Sequence, residues 1–354
     1  MQNKKIVQLI TGLGGGGAEQ MVLKLGKEAR QHDKESLIIS VSSINTLEQK
    51  FKDAGINYHF LGIDSPQNLF SGLRKLKKIL KNENIMVIHC HMFHALLIGI
   101  LFKAFYRDIP LVFTLHNNDV QQKYRAIFLK MTKRFRAADI LFSKNGAQNY
   151  LKNSIIIPNG LDISTFEVKG NSRLLTASKE FHFLFLGSLT EQKNPLGLIK
   201  LCQDLLASKH ENFVIDVVGD GPLRSSLEVE INEHNLNRHI KLHGFSNKVI
   251  AFLKNSHCLI MPSHWEGMPV VILEAGAAKL PIISTPVGSI GDIISKETGY
   301  LSSLDDFSDK MKYVVKEYET AVKKSERFYD HVVTNYGIQE IFDKHLKLYD
   351  AVSN

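Results

Sequence analysis

The chain has 354 residues, 44% of them hydrophobic, and this length predicts two domains rather than a single core. No signal-peptide pattern opens it, and its longest apolar run, residues 95–102, is too short to span a bilayer, so an integral membrane protein is not expected. Cys90, Cys202 and Cys258 are scattered and lie in or near apolar runs, which predicts buried free thiols, a cytoplasmic location and no cysteine–histidine metal site.

The net charge of +8 is concentrated in the first half of the chain. Residues 1–170 carry 24 Lys and Arg against 13 Asp and Glu, whereas the remainder carries 20 against 23. This imbalance predicts an anionic partner for the first half: a membrane surface, a lipid phosphate or nucleic acid. No nucleic-acid recognition motif accompanies the charge, so nucleic acid is the least favoured of the three.

A strand, a glycine loop and a helix open the chain. Residues 4–10 have the pattern of a strand, TGLGGGGAEQ follows, and helical spacing begins at Met21. Gly14, Gly15, Gly16 and Gly17 would let the backbone approach a ligand closely, although a flexible turn would use the same residues. Their spacing matches neither the dinucleotide fingerprint nor the P-loop.

Strand-like runs alternate with helical patterns through the first half. The alternation predicts a parallel, doubly wound sheet with ligands at the carboxyl ends of its strands. The predicted strands are residues 36–41, 57–61, 86–90, 111–115, 140–143 and 155–157.

Two segments with helical spacing, residues 68–81 and 123–136, contain much of the basic excess. Each interleaves apolar residues with lysines and arginines. Such a helix can lie on an anionic membrane, but its apolar face can equally pack on the sheet and leave the basic residues in solvent. Both interpretations remain open for both segments.

Histidines follow two of the predicted strands. His89, His91 and His94 lie in or just after one of them, and His116 follows the next in TLHNND. A histidine just past a strand end can bind a ligand by hydrogen bonding or hold a proton, whereas a lone histidine is more often structural. His116 is the strongest candidate of the four.

A second α/β series is predicted after a linker near residues 162–180. Its strands are expected at residues 181–186, 213–218, 240–243 and 258–261, and each ends in glycine and polar residues. Lys193, in the turn after the first of them, is a candidate partner for a phosphate. A helical tail over residues 338–352 closes the chain and could return to the first domain.

The richest stretch, residues 263–292, carries two acids, Glu266 and Glu274. Eight residues of a straight helix would leave them about 80° apart, so Glu266 is better placed on a loop and Glu274 within the following helix. Both could then address one ligand at that helix's N-terminus, which suits a phosphate. An ordinary loop–helix–strand unit with two exposed acids is the alternative.

The chain contains seven motifs in this order: GGGGAE, TLH, PNGLD, GSL…KNP, VGDGP, HGF and PSHWEGMPVVILEAGAAKLPIISTPVGS. Together they make essentially the whole chain resemble the GT-B-fold retaining glycosyltransferases of family 4. The resemblance implies an α/β fold of two Rossmann-like domains facing a cleft: residues 1–165, joined by a returning helix near 336–354, and residues 170–335. The second domain would hold a nucleotide-sugar donor.

The resemblance also implies roles for individual residues. Lys193 would pair with the donor diphosphate, Glu274 would accept hydrogen bonds from the ribose, and Glu266 would lie beside the transferred sugar. Near the reacting carbon, His116 would contact that sugar. The remaining implied donor-site residues are Gly15, Gly16 and Gly17 over the diphosphate, Ser188, the segment of Gly267, Met268, Pro269 and Val270, and the backbone N–H groups of Val287, Gly288 and Ser289.

Two positions depart from the family pattern. Ser188 stands where an arginine is common, and Asp292 is the nearest acid to the usual glutamate after the VGS turn. Both changes bear on donor affinity more than on the class of reaction. Reaction by front-side displacement is expected, with no cofactor, and no metal is required if Lys193 and backbone N–H groups stabilise the leaving diphosphate.

The expected activity is transfer from a nucleotide-sugar, UDP-linked, to a lipid-linked or cell-surface glycan acceptor in cell-envelope polysaccharide biosynthesis. The alternatives are a nucleotide-sugar epimerase that uses no acceptor and a non-catalytic partner subunit. The expected location is cytoplasmic, with peripheral contact to the anionic inner face of the membrane through the two basic segments.

Overall fold

The computed structural model describes residues 4–104, 109–116, 123–142, 152–166 and 180–353. The chain divides into a first unit, Met1–Gly160 with Ile338–Asn354, and a second unit, Leu161–Gly337. Each unit is built on a parallel sheet with helices between its strands, so the predicted α/β fold class is confirmed. Residues 161–166 belong to the second unit, which corrects the predicted boundary at 165, and most of the predicted linker lies outside the described residues.

In its described part the first unit has a seven-stranded sheet in the order β3-β2-β1-β4-β5-β6-β7. The strands are β1 (Lys5–Ile10), β2 (Ser36–Ser40), β3 (Asn57–Phe60), β4 (Ile85–His91), β5 (Leu111–Thr114), β6 (Ala138–Leu141) and β7 (Ser154–Ile156). The helices between them are α1 (Gly17–Gln31), α2 (Glu48–Asp53), α3 (Leu69–Leu80), α4 (Phe93–Lys103) and α5 (Lys123–Met131). Helix α1 therefore begins at Gly17, four residues before the predicted start.

The described part of the second unit has a six-stranded sheet in the order β10-β9-β8-β11-β12-β13. The strands are β8 (Phe181–Leu186), β9 (Phe213–Val218), β10 (Ile240–Gly244), β11 (Cys258–Met261), β12 (Ile282–Ser284) and β13 (Tyr300–Leu301). The helices are α6 (Gly197–Ala207), α7 (Arg224–Glu233), α8 (Val249–Asn255), α9 (Val270–Ala277), α10 (Ile290–Ile293), α11 (Phe307–Lys316) and α12 (Tyr318–Tyr336). Strand order reverses at β8 and β11, where ligands of such sheets commonly bind.

The last helix, α13 (Ile338–Ser353), returns to the first unit as predicted. Its apolar residues Ile341, Phe342 and Tyr349 are fully buried against one face of the first sheet, together with Met21 and Leu25 of α1. Helices α3 and α4 cover the opposite face of the same sheet. Helices therefore pack on both faces of the first sheet, as in doubly wound folds.

The two basic segments differ in structure. In α3 the leucines Leu76 and Leu80 are buried, so most of its apolar face packs on the core, while Phe70 is 77% exposed. Helix α5 ends at Met131 rather than at the predicted residue 136. Arg136 is not a surface charge: it is buried and donates to both carboxylate oxygens of Asp139 at 2.7 and 3.1 Å.

All three cysteines are buried, which confirms that prediction, and burial raises the pKa of the Cys202 thiol to about 12. Within the described ranges, no helix combines the length and the apolar character needed to cross a membrane.

Candidate functional site

Glu266 and Lys193 meet at the carboxyl edge of the second sheet. Lys193 follows β8 and Glu266 follows β11, and these strands are hydrogen-bonded neighbours, with Leu184 opposite Leu259. The carboxyl ends of neighbouring parallel strands lie at one edge, so their following loops converge. Lys193 Nζ donates to Glu266 Oε1 at 2.6 Å, with side chains 16% and 4% exposed.

Two further side chains hold the Glu266 carboxylate. Ser263 Oγ donates to Oε1 at 2.8 Å, and Gln192 Nε2 donates to Oε2 at 3.2 Å. Thr285, which follows β12, donates to the Ser263 carbonyl at 2.7 Å. The acid is therefore buried and fully engaged, as a buried charge must be to offset its desolvation. Sequence reasoning missed Gln192 and Ser263, although both lie within the motifs that contain Lys193 and Glu266.

The loop after β12 presses against the Glu266 loop through Gly288. This glycine has φ +61°, and a Cβ there would lie 2.2 Å from the Glu266 carbonyl oxygen. Both the backbone conformation and the close approach therefore require glycine. Ser289 donates its N–H to Gly267 O at 3.0 Å, and its hydroxyl donates to the same oxygen at 2.9 Å. The Ser289 N–H is consequently engaged within the protein, contrary to its expected role at the phosphates.

The Lys193 loop is held in place by backbone packing. A Cβ on Gly219 would lie 1.8 Å from Gly187 O, so the turns after β8 and β9 meet with no room for a side chain. Leu189 N donates to Asp220 O at 2.9 Å across the same junction. Asn194, at φ +55°, donates its amide to Pro262 O at 3.1 Å and so ties the Lys193 loop to the Glu266 loop.

The second acid lies where the sequence predicts it. Glu274 is half-buried within α9, and Glu266 is on the loop before that helix. Gly267, Met268 and Pro269 are buried between them, and the half-buried Val270 begins the helix. No side chain within the described residues caps α9, so its first N–H groups suit an anion.

Ser188 is exposed on the turn after β8, five residues before Lys193. Its carbonyl accepts the Thr190 N–H at 3.0 Å. The structure therefore places a small hydroxyl side chain, facing solvent, where the family pattern commonly has a cation.

The glycine loop of the first unit ends in helix α1. Gly15 has open space around its Cβ position, whereas a Cβ on Gly16 would lie 2.7 Å from a Glu19 carboxylate oxygen. Gly17 is the first residue of α1. Desolvation raises the pKa of Glu19, whose carboxyl group lies over the start of the helix. Gly15 thus leaves more room than Gly16 for a ligand to approach its backbone.

His116 belongs to a buried histidine cluster in the first unit. Its Nε2 lies 3.1 Å from His91 Nδ1, and His89 lies beside His91 with ring centroids 4.0 Å apart. Burial, aided by the charge that His345 would carry, lowers the pKa of His116 to about 3. The ring is therefore neutral at neutral pH. His94 is exposed and no contact joins it to the cluster within the described residues.

Among the described residues, no group of three His, Cys, Asp or Glu side chains is arranged to hold a metal ion. The charged groups of the second-unit site are one lysine and two acids beside glycine turns and a helix start. Such a set of groups can bind a phosphorylated sugar. The cation and the N–H groups can bind the phosphate, and the carboxylates can accept hydrogen bonds from the sugar hydroxyls.

The two parallel-sheet α/β units match the GT-B fold of solved glycosyltransferase structures. HepE of Anabaena, solved with UDP and glucose, superimposes on this chain with a TM-score of 0.86 over 99% of this chain and 100% of HepE, at 16% identity. At that identity the likeness concerns the fold alone.

The sequence comparisons give the family. The family described as Glycosyltransferase Family 4 matches residues 15–165, and Glycosyl transferases group 1 matches residues 171–331. The chain therefore belongs to the GT-B glycosyltransferases of family 4, which confirms the resemblance.

Two curated relatives illustrate the family. The UDP-Gal:alpha-D-GlcNAc-diphosphoundecaprenol alpha-1,3-galactosyltransferase of Escherichia coli is 30% identical over 56% of this chain, and the match spans 54% of that protein. The capsular polysaccharide biosynthesis glycosyltransferase CapH of Staphylococcus aureus is 25% identical over 96% of this chain and 95% of CapH. This chain thus spans about half of the first relative and nearly all of the second.

Proposed function

We propose that this protein is a retaining glycosyltransferase that moves a sugar from a UDP-sugar to a lipid-linked or cell-surface polysaccharide acceptor. The names of the relatives support this substrate class, since one uses UDP-Gal and a diphosphoundecaprenol-linked sugar and another acts in capsule biosynthesis. A structural neighbour binds UDP and glucose.

The single observation that carries the proposal is the buried Lys193–Glu266 pair, at 2.6 Å. Lys193 would turn to the donor diphosphate, and the released carboxylate of Glu266 would accept hydrogen bonds from hydroxyls of the transferred sugar. Glu274 would bind the ribose, and the backbone from Gly267 to Val270 would line the sugar. Ser188 would face the diphosphate with a hydroxyl in place of a cation.

The proposed reaction is a front-side displacement. The acceptor hydroxyl oxygen bonds to the anomeric carbon while the bond from that carbon to the diphosphate oxygen breaks. The leaving phosphate oxygen takes the proton of the hydroxyl, so no protein base is required. Lys193 and the N–H groups at the start of α9 stabilise the negative charge that develops on the diphosphate, without a metal ion.

The first unit would contribute His116 and the glycine loop. The neutral ring of His116 would hydrogen-bond a hydroxyl of the transferred sugar, and Gly15, Gly16 and Gly17 would approach the diphosphate through their backbone. Because Gly15 has open space around it, Gly15→Ala leaves the fold intact, and any loss of turnover would report on the ligand.

Nucleotide release tests the proposal. The purified protein is incubated with UDP-, GDP- and ADP-sugars, with and without a glycan acceptor on a lipid diphosphate, with EDTA in parallel. A transferase should consume a UDP-sugar only when the acceptor is present, and it should do so in EDTA as well. A retaining enzyme should form an α-linked product from an α-linked donor. Conversion of the sugar without acceptor would indicate an epimerase, and turnover unchanged in both Lys193→Ala and Glu274→Ala would refute the site.

Contact with an anionic membrane is the second part of the proposal, and helix α5 supports it. Tyr124, Ile127 and Met131 are 59%, 59% and 73% exposed and lie at helical spacing on one face. Exposed Lys123 and Lys130 flank them. Apolar insertion combined with basic residues favours the anionic inner face of a membrane, with the protein on its cytoplasmic side.

Vesicle flotation tests this surface. The wild-type protein is expected to float with phosphatidylglycerol vesicles at low salt, and the triple variant Tyr124→Ser, Ile127→Ser, Met131→Ser to remain unbound. Val229→Ser, which removes a 53% exposed side chain from the second unit, is the control. Equal flotation of the triple variant and the wild type would refute the assignment to α5.

A further inference from the structure

A polar network lies buried in the first unit, on the sheet face that α13 covers. Among the described residues it contains neutral side chains and no carboxylate or lysine. Its members lie on β1, β4 and α13 and at the end of β5, and each except the half-buried His116 is at most 4% exposed: Gln8, His89, His91, Thr114, His116, His345 and Tyr349. In a position otherwise filled by apolar residues, such a set must satisfy its own hydrogen bonds.

Hydrogen bonds connect His116 to Gln8. His116 Nε2 lies 3.1 Å from His91 Nδ1, and His91 Nε2 lies 2.6 Å from Gln8 Oε1. Strand pairing accounts for the order, since β4 lies between β1 and β5 in the sheet.

The connections continue from Gln8 through the C-terminal helix. Gln8 Nε2 lies 3.5 Å from the Tyr349 hydroxyl, a long contact. The same hydroxyl lies 2.7 Å from His89 Nδ1, and His89 Nε2 lies 2.7 Å from Thr114 Oγ1. The six residues thus form one unbranched chain of contacts.

The chemistry of Gln8 sets the direction of every bond. Its amide oxygen can only accept, so His91 Nε2 carries the proton and His91 Nδ1 is an acceptor. His116 must then donate through Nε2–H. On the other side, the Gln8 amide nitrogen donates to Tyr349, whose hydroxyl donates to His89.

Burial keeps the rings in neutral forms. It lowers the pKa of His89 and His91 well below the usual 6.5, so each ring holds one proton at neutral pH. A neutral imidazole has one donor and one acceptor, and the position of one proton therefore fixes the role of the other nitrogen.

We propose that Gln8 and Tyr349 are positioning residues for His116. Through this chain they hold His116 in the Nε2–H tautomer and leave its Nδ1 as a hydrogen-bond acceptor for a hydroxyl group. The inference rests on the proposed function for the identity of that hydroxyl, a sugar hydroxyl, but not for the tautomer. It assigns the last helix a part in activity, since Tyr349 lies on α13.

The opposite arrangement would present a donor at His116 Nδ1. It would require the Gln8 amide to turn over and all three histidines to exchange tautomers together. The His116 role is therefore set by the whole chain of bonds rather than by one neighbour.

Nitrogen-15 NMR of histidine side chains tests the proposal on the complete protein. The long-range couplings of each ring show which nitrogen carries the proton, and His→Asn variants assign His89, His91 and His116. All three are expected in the Nε2–H form at pH 7.5. A wild-type spectrum with His116 protonated at Nδ1 would overturn the proposal, whether or not any variant folds.

The variants Gln8→Met and Tyr349→Phe should release the His116 tautomer. The thioether introduced by Gln8→Met is only a weak acceptor, and without the Tyr349 hydroxyl the Gln8 amide loses the partner that fixes its orientation. Both variants should show a mixture of tautomers and a kcat about tenfold lower, with the KM for the donor unchanged, as one misplaced transition-state hydrogen bond predicts. If both variants retained the wild-type tautomer and kcat, the proposal that Gln8 and Tyr349 position His116 would also be overturned.

Ser353→Ala is the matched control. Ser353 lies one turn after Tyr349 on α13, and its hydroxyl bonds only backbone carbonyls, Tyr349 O at 2.6 Å and Met86 O at 2.9 Å, so it contacts no side chain of the network. It should change neither tautomer nor kcat. If no nucleotide-sugar is turned over at all, the proposed function fails, but the NMR result still decides the tautomer of His116. If the enzyme is active and His116 is protonated at Nδ1, only the positioning role of the network is refuted.

Discussion

Replacing Glu266 with glutamine is predicted to strengthen the binding of UDP while it slows transfer. Lys193 is engaged with the Glu266 carboxylate at 2.6 Å. A diphosphate that recruits Lys193 must compete with that carboxylate. The glutamine side chain of Glu266→Gln keeps the shape and an acceptor for Ser263, but it holds Lys193 less strongly and carries no charge to repel the nucleotide.

The magnitude follows from the kind of hydrogen bond that is exchanged. A hydrogen bond to a charged group contributes about 1–2 kcal/mol more than a neutral one. With the pair largely buried, the difference is little reduced by solvent. UDP should therefore bind about 5- to 30-fold more tightly to Glu266→Gln. Transfer should fall about 10- to 100-fold, because the sugar loses a charged acceptor.

Calorimetry with UDP measures the first effect, and a double-mutant cycle identifies its cause. In the Lys193→Gln background, Glu266→Gln should no longer tighten UDP binding, since the released cation is absent. Glu191→Gln is the control for general charge, because Glu191 is exposed on the same loop, two residues before Lys193. Unchanged or weaker UDP binding by Glu266→Gln, or equal tightening without Lys193, would refute the reasoning.

Two further predictions concern backbone packing and pH. Gly288→Ala should weaken UDP binding at least about tenfold in calorimetry and lower the free energy of unfolding by about 1–3 kcal/mol, because its Cβ would meet Glu266 O at 2.2 Å. The control Gly291→Ala, which adds a methyl group in open space, should change neither UDP binding nor thermal unfolding. Equal effects of the two variants would contradict the packing argument. Burial lowers the pKa of His345 to about 4 and the pKa values of His89 and His91 well below 6.5. Below pH 6.5 the unfolded chain therefore binds more protons than the folded chain, and the first unit loses stability as the pH falls from 6.5 towards 4. Urea unfolding at pH 7.5, 6.5 and 5.5 should show that the free energy of unfolding falls by about 1 kcal/mol for each histidine between pH 6.5 and 5.5. The fall should be smaller in His345→Gln, and a flat profile would contradict the buried neutral state.

The positions of the main strands and of the two acids could be predicted because they depend on local patterns. Buried parallel strands are short apolar runs that end in glycine, and Glu266 and Glu274 are separated by a helix start. The pairing of Lys193 with Glu266 depends instead on the adjacency of β8 and β11 in the sheet. The two side chains are 73 residues apart in the sequence and share no local signal.

Other features could not be obtained from local pattern. Gln8 interrupts an apolar strand and Tyr349 fits the apolar spacing of its helix, so neither residue reveals its hydrogen-bond partner. Arg136 carries a charge like its neighbours in the sequence, yet Asp139, three residues further on, draws it into the core. In α5, Ala126 is buried and the neighbouring Ile127 is exposed, and which of the two faces the core likewise depends on how the helix packs.

Turnover of a UDP-sugar by the wild-type protein and by Lys193→Ala tests the central claim most directly. UDP release is followed in the presence of a lipid-diphosphate-linked glycan acceptor, and unfolding curves verify that the variant is folded. Loss of the cation that stabilises the leaving diphosphate should lower kcat about 10²- to 10³-fold. Equal turnover by the two proteins, or no UDP-sugar consumed by the wild type, would contradict a donor site built on Lys193 and Glu266.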